Sequence, residues 1–118
     1  GVDARGFVLG GMLAEKFWLP FVMIRKDGKL PDALVAKESY SYEYSSATLA
    51  IRKDILSRHK VLVIDDVLAT GGTLWAALRL AKNNGASEVF AGVLIELKWL
   101  SGREKLAQYE IFSAIQFD

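Results

Sequence analysis

Apolar positions along the chain fall into stripes at helical spacing and short unbroken runs, separated by polar connections. In residues 7–18, Leu9, Leu13 and Phe17 recur every four positions and so share one helical face, although Gly10 and Gly11 each weaken a helix by about 1 kcal/mol relative to Ala. Phe21-Val22-Met23-Ile24 follows Pro20 as an unbroken run and predicts a buried strand ending at Arg25-Lys26. From Asp27 to about Ser46 the pattern turns polar, with Gly28 and Pro31 as punctuation. A stretch of about 20 residues without regular structure is uncommon inside a compact domain, so this one predicts a lid or a disordered segment. Within it Tyr40, Tyr42 and Tyr44 alternate with Ser39, Ser41, Glu43 and Ser45, which in extended backbone puts the tyrosines on one face and Glu43 on the other.

Thr48 to Arg52 predicts a return strand, and Val61-Leu62-Val63-Ile64 a buried strand of β-branched character closed by Asp65-Asp66. A glycine-containing turn, Ala69-Thr70-Gly71-Gly72-Thr73, opens a helix whose stripe is Leu74, Ala77, Leu78 and Ala81 and whose stop is Gly85. Val89 to Leu97 predicts another apolar strand, Arg103 to Gln108 a shorter helix, and Ile111 to Phe117 a last strand. Strands without polar alternation, separated by helices, indicate an α/β fold with a parallel sheet covered on both faces.

A chain of 118 residues can bury one core and is short for two, so residues 1–118 are read as one domain. Lys and Arg number 15 against 14 Asp and Glu, a formal charge of +1, which gives no electrostatic footprint for a nucleic-acid backbone. The absence of cysteine excludes disulfides, thiol nucleophiles and thiolate zinc sites together, and fits a reducing, cytoplasmic setting. The one histidine, His59, lies between Arg58 and Lys60 and reads as part of a solvated turn. The apolar stretch from Phe7 to Ala14 is broken by glycines and falls short of the ~20 residues of a membrane span, so no membrane partner is expected. Because the chain opens with Gly1 directly before a functional-looking segment, a processed product or a fragment is expected.

The strongest chemical signal is the block from Val61 to Thr73, where an apolar strand delivers two adjacent carboxylates to its carboxyl end and a glycine-rich turn then opens a helix. In open α/β sheets ligands bind at that edge. Gly71 and Gly72 allow successive N–H groups to face one concavity, and the helix adds its positive end, which together make an anion cradle. Thr70 and Thr73 add hydroxyl donors. Asp65 and Asp66 would repel each other in a dry setting unless sugar hydroxyls or a divalent cation engage them. A phosphate beside a diol points to a ribose phosphate. The block lacks the Gly-Lys-Ser/Thr ending of a nucleoside-triphosphate loop and the G-x-G-x-x-G of dinucleotide folds.

Read as a whole, Val61 to Thr73 resembles the phosphoribosyl-pyrophosphate motif of the type I phosphoribosyltransferases, and its Leu-Ala-Thr-Gly-Gly-Thr wording is closest to the adenine branch of that family. Asp3-Ala4-Arg5-Gly6-Phe7 is similar to the family's early loop, and Ile24-Arg25-Lys26 with Gly28-Lys29-Leu30-Pro31 to its pyrophosphate-contacting strand end. Ser41-Tyr42-Glu43-Tyr44 resembles the flexible-loop motif, while Gly102 to Leu106 and Phe112 to Phe117 resemble the C-terminal part. Family members carry glycine where Ser45 and Asp32 stand here, and a segment before the Asp-x-Arg-Gly-Phe loop that includes a strand and much of the hood over the base.

The resemblance implies a type I phosphoribosyltransferase fold, a parallel sheet flanked by helices with a flexible flap at about residues 27–47. It implies Mg²⁺-assisted displacement of pyrophosphate from phosphoribosyl pyrophosphate by a purine nitrogen, giving AMP when the base is adenine, in a homodimeric enzyme of purine salvage. By the same resemblance Ala69, Thr70, Gly71, Gly72 and Thr73 would hold the 5′-phosphate, and Asp65 and Asp66 the ribose hydroxyls. Arg5, Arg25, Lys26 and Lys29 would meet the pyrophosphate, and Glu43 and Tyr44 would come from the flap, with Glu43 handling a proton of the base. Mg²⁺ would arrive with the substrate. A transferase for xanthine, hypoxanthine or orotate, a regulator that binds the sugar without turning it over, and a fragment that only dimerises are the alternatives.

Overall fold

The computed structural model describes residues 1–30, 35–42 and 45–118. Strand β4 (Lys60–Leu68) pairs in parallel with β5 (Glu88–Leu97), and β5 in parallel with β6 (Glu110–Phe117). Alternation along these strands sends Val63, Ala91 and Val93 to one face, where they meet helix α2 (Gly72–Asn83) through Leu74, Ala77, Leu78 and Ala81. The helical stripe expected for this segment is therefore the buried one. On the opposite face Gly92 lies beneath Leu62 and Ile64, and Leu62, Leu94 and Phe112 reach solvent, so cover on that side is partial.

Helix α1 (Arg5–Phe17) packs along β4, with Gly6 and Gly10 as its buried positions. A second, antiparallel sheet has the order β1 (Arg25–Lys26), β3 (Ser45–Arg52), β2 (Val35–Tyr42). Its central strand buries Leu49 and Ile51, and α2 touches both sheets, which joins them into one core with Leu106 from the segment before β6.

Four expectations change. The run Phe21–Ile24 is not a four-residue strand: Ile24 alone makes a parallel bridge, to Val2, and Phe21 and Met23 are partly exposed. Apolar residues become a strand only where a neighbour supplies hydrogen bonds, and here that neighbour is Gly1–Asp3. The polar segment 27–46 is not a loop throughout, because the tyrosine alternation is the pattern of β2, which zips to β3 from Val35↔Arg52 to Tyr42↔Ser45. Asp65 and Asp66 do not close β4, which runs on to Leu68 because Val67 and Leu68 keep pairing with Ile95 and Glu96. Before β6 the helix is one turn, α3 (Gly102–Lys105), preceded by a 3₁₀ turn at Lys98–Leu100.

Leu78 is fully buried between α2 and the sheets. Leu78→Ala should lower the unfolding free energy by about 2–5 kcal/mol. Leu94→Ala, on the partly open face, should cost less than half as much in the same urea titration.

Candidate functional site

Strand β4 carries two acids past its apolar stretch, and the pleat gives them different surroundings. Asp65 is 7% exposed, whereas the Asp66 side chain keeps a quarter of its surface, 25%. One Asp65 carboxylate oxygen accepts the Asp66 backbone N–H at 2.9 Å, and Asp66 Oδ2 lies 2.8 Å from Arg5 Nε. Arg5 is brought there by the segment before α1. Val2 donates its N–H to the Ile64 carbonyl at 3.0 Å, and Gly6 packs so close to β4 that a methyl group there would stand 2.7 Å from that same carbonyl oxygen. The loop thus presses main chain against main chain beside the acid pair.

Beyond Leu68 the chain turns through Ala69–Gly71 into α2. Gly71 adopts φ +88°, a left-handed conformation open to glycine at little cost, and its carbonyl accepts the Trp75 N–H at 2.9 Å as the helix begins. The first amides of an α-helix have no partner within the helix, and among the described residues no side-chain cap is made to them here. That turn, the acid pair and the Asp3–Arg5 loop line a cleft of about 530 Å³, together with Lys26 and Tyr40. Positive helix-end amides and carboxylates lining one cleft suit a ligand with an anionic end and a hydroxylated middle.

Of the residues singled out by sequence, Arg5, Lys26, Asp65, Asp66, Ala69, Thr70, Gly71, Gly72 and Thr73 are brought together around this cleft. Arg25 is not at its wall: its Nε lies 3.6 Å from Asp3 Oδ2 and its guanidinium 5.9 Å from the centre of the Phe7 ring. Lys29 is exposed and also stands apart from the lining. Glu43 and Tyr44 lie outside the described residues. Two contributors were missed by sequence reasoning. Asp3 accepts the Lys26 backbone N–H at 3.2 Å and so joins the loop to β1. Tyr40 accepts a hydrogen bond from Thr73 Oγ1 at 3.1 Å and packs over Gly72, which ties β2 to the glycine turn. Its place in the tyrosine alternation marked a face without telling what that face would meet.

The sequence pattern of the phosphoribosyl transferase domain family matches residues 1–116. The chain belongs to that family. It is 50% identical over 115 residues to the adenine phosphoribosyltransferase of Solidesulfovibrio magneticus, an alignment covering 97% of this chain and 67% of the relative. The crystal structure of adenine phosphoribosyltransferase from Thermoanaerobacter pseudethanolicus superposes with a TM-score of 0.93 at 41% identity, covering 98% of this chain and 67% of that one. The enzyme from Giardia lamblia, solved in complex with 9-deazaadenine, superposes with a TM-score of 0.89 at 40% identity, covering 100% of this chain and 68% of that one. The chain thus spans about two thirds of the length of the relatives it matches.

In this cleft the charge state of Asp65 is set by its place. Burial pushes its carboxyl up from the usual 3.8 to about 7, the hydrogen bond and charge of Asp66 add to the rise, and the Asp66 N–H and the Arg5 charge oppose it. The folded protein therefore holds this proton more tightly than the unfolded chain does. The Asp65 contribution to stability falls as pH climbs from about 4 to about 7 and levels off above that. Asp65→Asn removes the titration, so the variant's thermal midpoint should exceed that of the parent chain by more at about pH 8 than at about pH 5. A difference independent of pH would show that this carboxyl does not hold its proton in the fold.

Proposed function

We propose that the chain transfers the phosphoribosyl group of phosphoribosyl pyrophosphate to adenine, giving AMP and pyrophosphate, as a purine-salvage enzyme of the cytoplasm. One observation carries this reading: a helix start at a glycine turn and a pair of adjacent carboxyl groups line one cleft, which offers donors for a phosphate and acceptors for sugar hydroxyls together. The names borne by the relatives favour adenine as the base.

The amides and hydroxyls of Ala69–Thr73 would receive the 5′-phosphate, since unpaired helix-start N–H groups bind anions without moving. Asp65 and Asp66 would accept hydrogen bonds from the ribose hydroxyls and stabilise positive charge as the bond from C1′ to pyrophosphate breaks. Arg5 and Lys26 would face the departing pyrophosphate, which leaves with the bonding electrons. Arg25 acts there through Asp3, which it holds in place, and Lys29 would have to reach in from the surface. The base nitrogen forms its bond to C1′ and gives up its proton to Glu43, while Tyr44 and the rest of a flap at about residues 27–47 exclude water from the reacting centre.

Among the described residues no three side chains of metal-ligating type converge; Mg²⁺ would arrive with the substrate and offset the negative charge of its diphosphate. A homodimer fits a face that leaves Leu62, Leu94 and Phe112 exposed. Among the described residues no helix is long and apolar enough to cross a membrane.

Incubation with phosphoribosyl pyrophosphate, Mg²⁺ and each base in turn should yield mononucleotide with adenine alone. Binding of the sugar without product would point instead to a regulator. Asp65→Asn combined with Asp66→Asn should lower kcat about a hundredfold or more. Tyr40→Phe, which removes one hydrogen bond to Thr73, should cost less than about tenfold. Equal small losses in both would mean that the sugar does not sit at the acid pair.

A further inference from the structure

A second buried acid lies behind the cleft and takes no part in the proposed chemistry. Glu96, at the carboxyl end of β5, is 4% exposed. Its carboxylate receives Arg103 as a two-pronged pair, Nε to Oε1 at 2.9 Å and Nη2 to Oε2 at 2.6 Å. Ser113 Oγ donates to Oε2 at 2.6 Å and Gln116 Nε2 at 3.3 Å, while Arg103 Nη1 donates to the Ile111 carbonyl at 2.9 Å. The cluster binds β5, α3 and β6 to one another.

Its position gives it a second consequence. Glu96 stands in register opposite Leu68, the last residue before the glycine turn. Arg103 directly follows Gly102, whose backbone packs against that turn with no side chain between them. A methyl group on Gly102 would overlap the Ala69 carbonyl oxygen, and one on Gly71 would stand 2.7 Å from the Gly102 carbonyl oxygen. A closed circuit results, from Leu68 across the sheet to Glu96, through the ion pair to Arg103, and back through Gly102 to the turn.

We propose that Arg103 is a positioning residue for the phosphate turn: its forked hold on Glu96 keeps Gly102 seated against Ala69 and Gly71. Neither Arg103 nor Glu96 lines the cleft, so the action is through the turn's main chain. The physical reason for an ion pair here is geometric. With the Glu96 side chain buried and that of Arg103 42% exposed, the pair itself adds little stability, but a guanidinium fork on a carboxylate fixes distance and angle together. Arg103 also draws the Glu96 carboxyl down to about 2, with Ser113 and Gln116 helping, so the clasp stays charged across the neutral range.

The inference rests on the phosphate-binding reading above, and its test separates the two. The whole chain and the variants Arg103→Met, Arg103→Lys and Glu96→Gln are titrated calorimetrically with ribose 5-phosphate below their unfolding transitions, and the free proteins' Gly71 and Gly72 amide resonances are compared. Arg103→Met should weaken binding about tenfold or more and shift both resonances, with Arg103→Lys in between. Arg103→Met and Glu96→Gln together should cost less than the sum of the two alone, because both loosen the same clasp. If Arg103→Met does not fold, Glu96→Gln, which keeps the side chain's shape, carries the same measurements. A folded variant with a lower melting temperature but unchanged affinity and unchanged Gly71 and Gly72 resonances overturns the proposal and leaves Arg103 a purely stabilising residue. Failure of the parent chain to bind ribose 5-phosphate overturns the phosphate-binding reading instead, and the amide resonances then still decide whether Arg103 holds the turn.

Discussion

Two adjacent carboxyl groups at the end of a buried strand, lining one cleft with the start of a helix, impose the main constraint on this molecule. Like charges in a partly dry place repel, and the first amides of a helix have no partner within it, so the two features place opposite demands on the same cleft. Holding them at working distance requires that main chain approach main chain. Gly6 does this between the first loop and β4, and Gly102 between α3 and the glycine turn. A side chain at either place would push apart the walls of the cleft.

The two buried acids of the parallel sheet show how position alone assigns different work to similar groups. Asp65 is left with a second carboxyl beside it and little solvent, and burial pushes its carboxyl up to about 7. Glu96 is buried as deeply, but a guanidinium, a hydroxyl and an amide surround it, and Arg103 draws it down to about 2. The first is held near its titration point inside the cleft. The second is committed to structure, and its satisfied charge leaves no reason for it to face a ligand.

The antiparallel sheet serves the cleft from another side. β2 and β3 pair along their whole length, which brings Tyr40 to the helix start and links the strand pair to Thr73. β1 is short, yet it places Lys26 at the cleft while Asp3 fastens it to the first loop. Residues far apart in the chain meet because α2 lies between the two sheets and buries its apolar stripe in their common core.

Features set by neighbours in sequence were legible from sequence alone. The strand of Val61–Ile64, the turn of Ala69–Thr73 and the stripe of Leu74, Ala77, Leu78 and Ala81 are local patterns, and the order of strands and helices implied the parallel sheet. What depended on distant partners was not. Phe21–Ile24 is as apolar as a strand but lacks a ladder on both sides, and Arg25 belongs to the same basic cluster as Lys26 yet turns toward Asp3 and Phe7. The clasp of Arg103 on Glu96 joins α3, β5 and β6 across a sheet whose packing alone brings them together. Periodicity records which face of a segment is apolar; direction and partner are chosen only when the whole chain competes for the same interior.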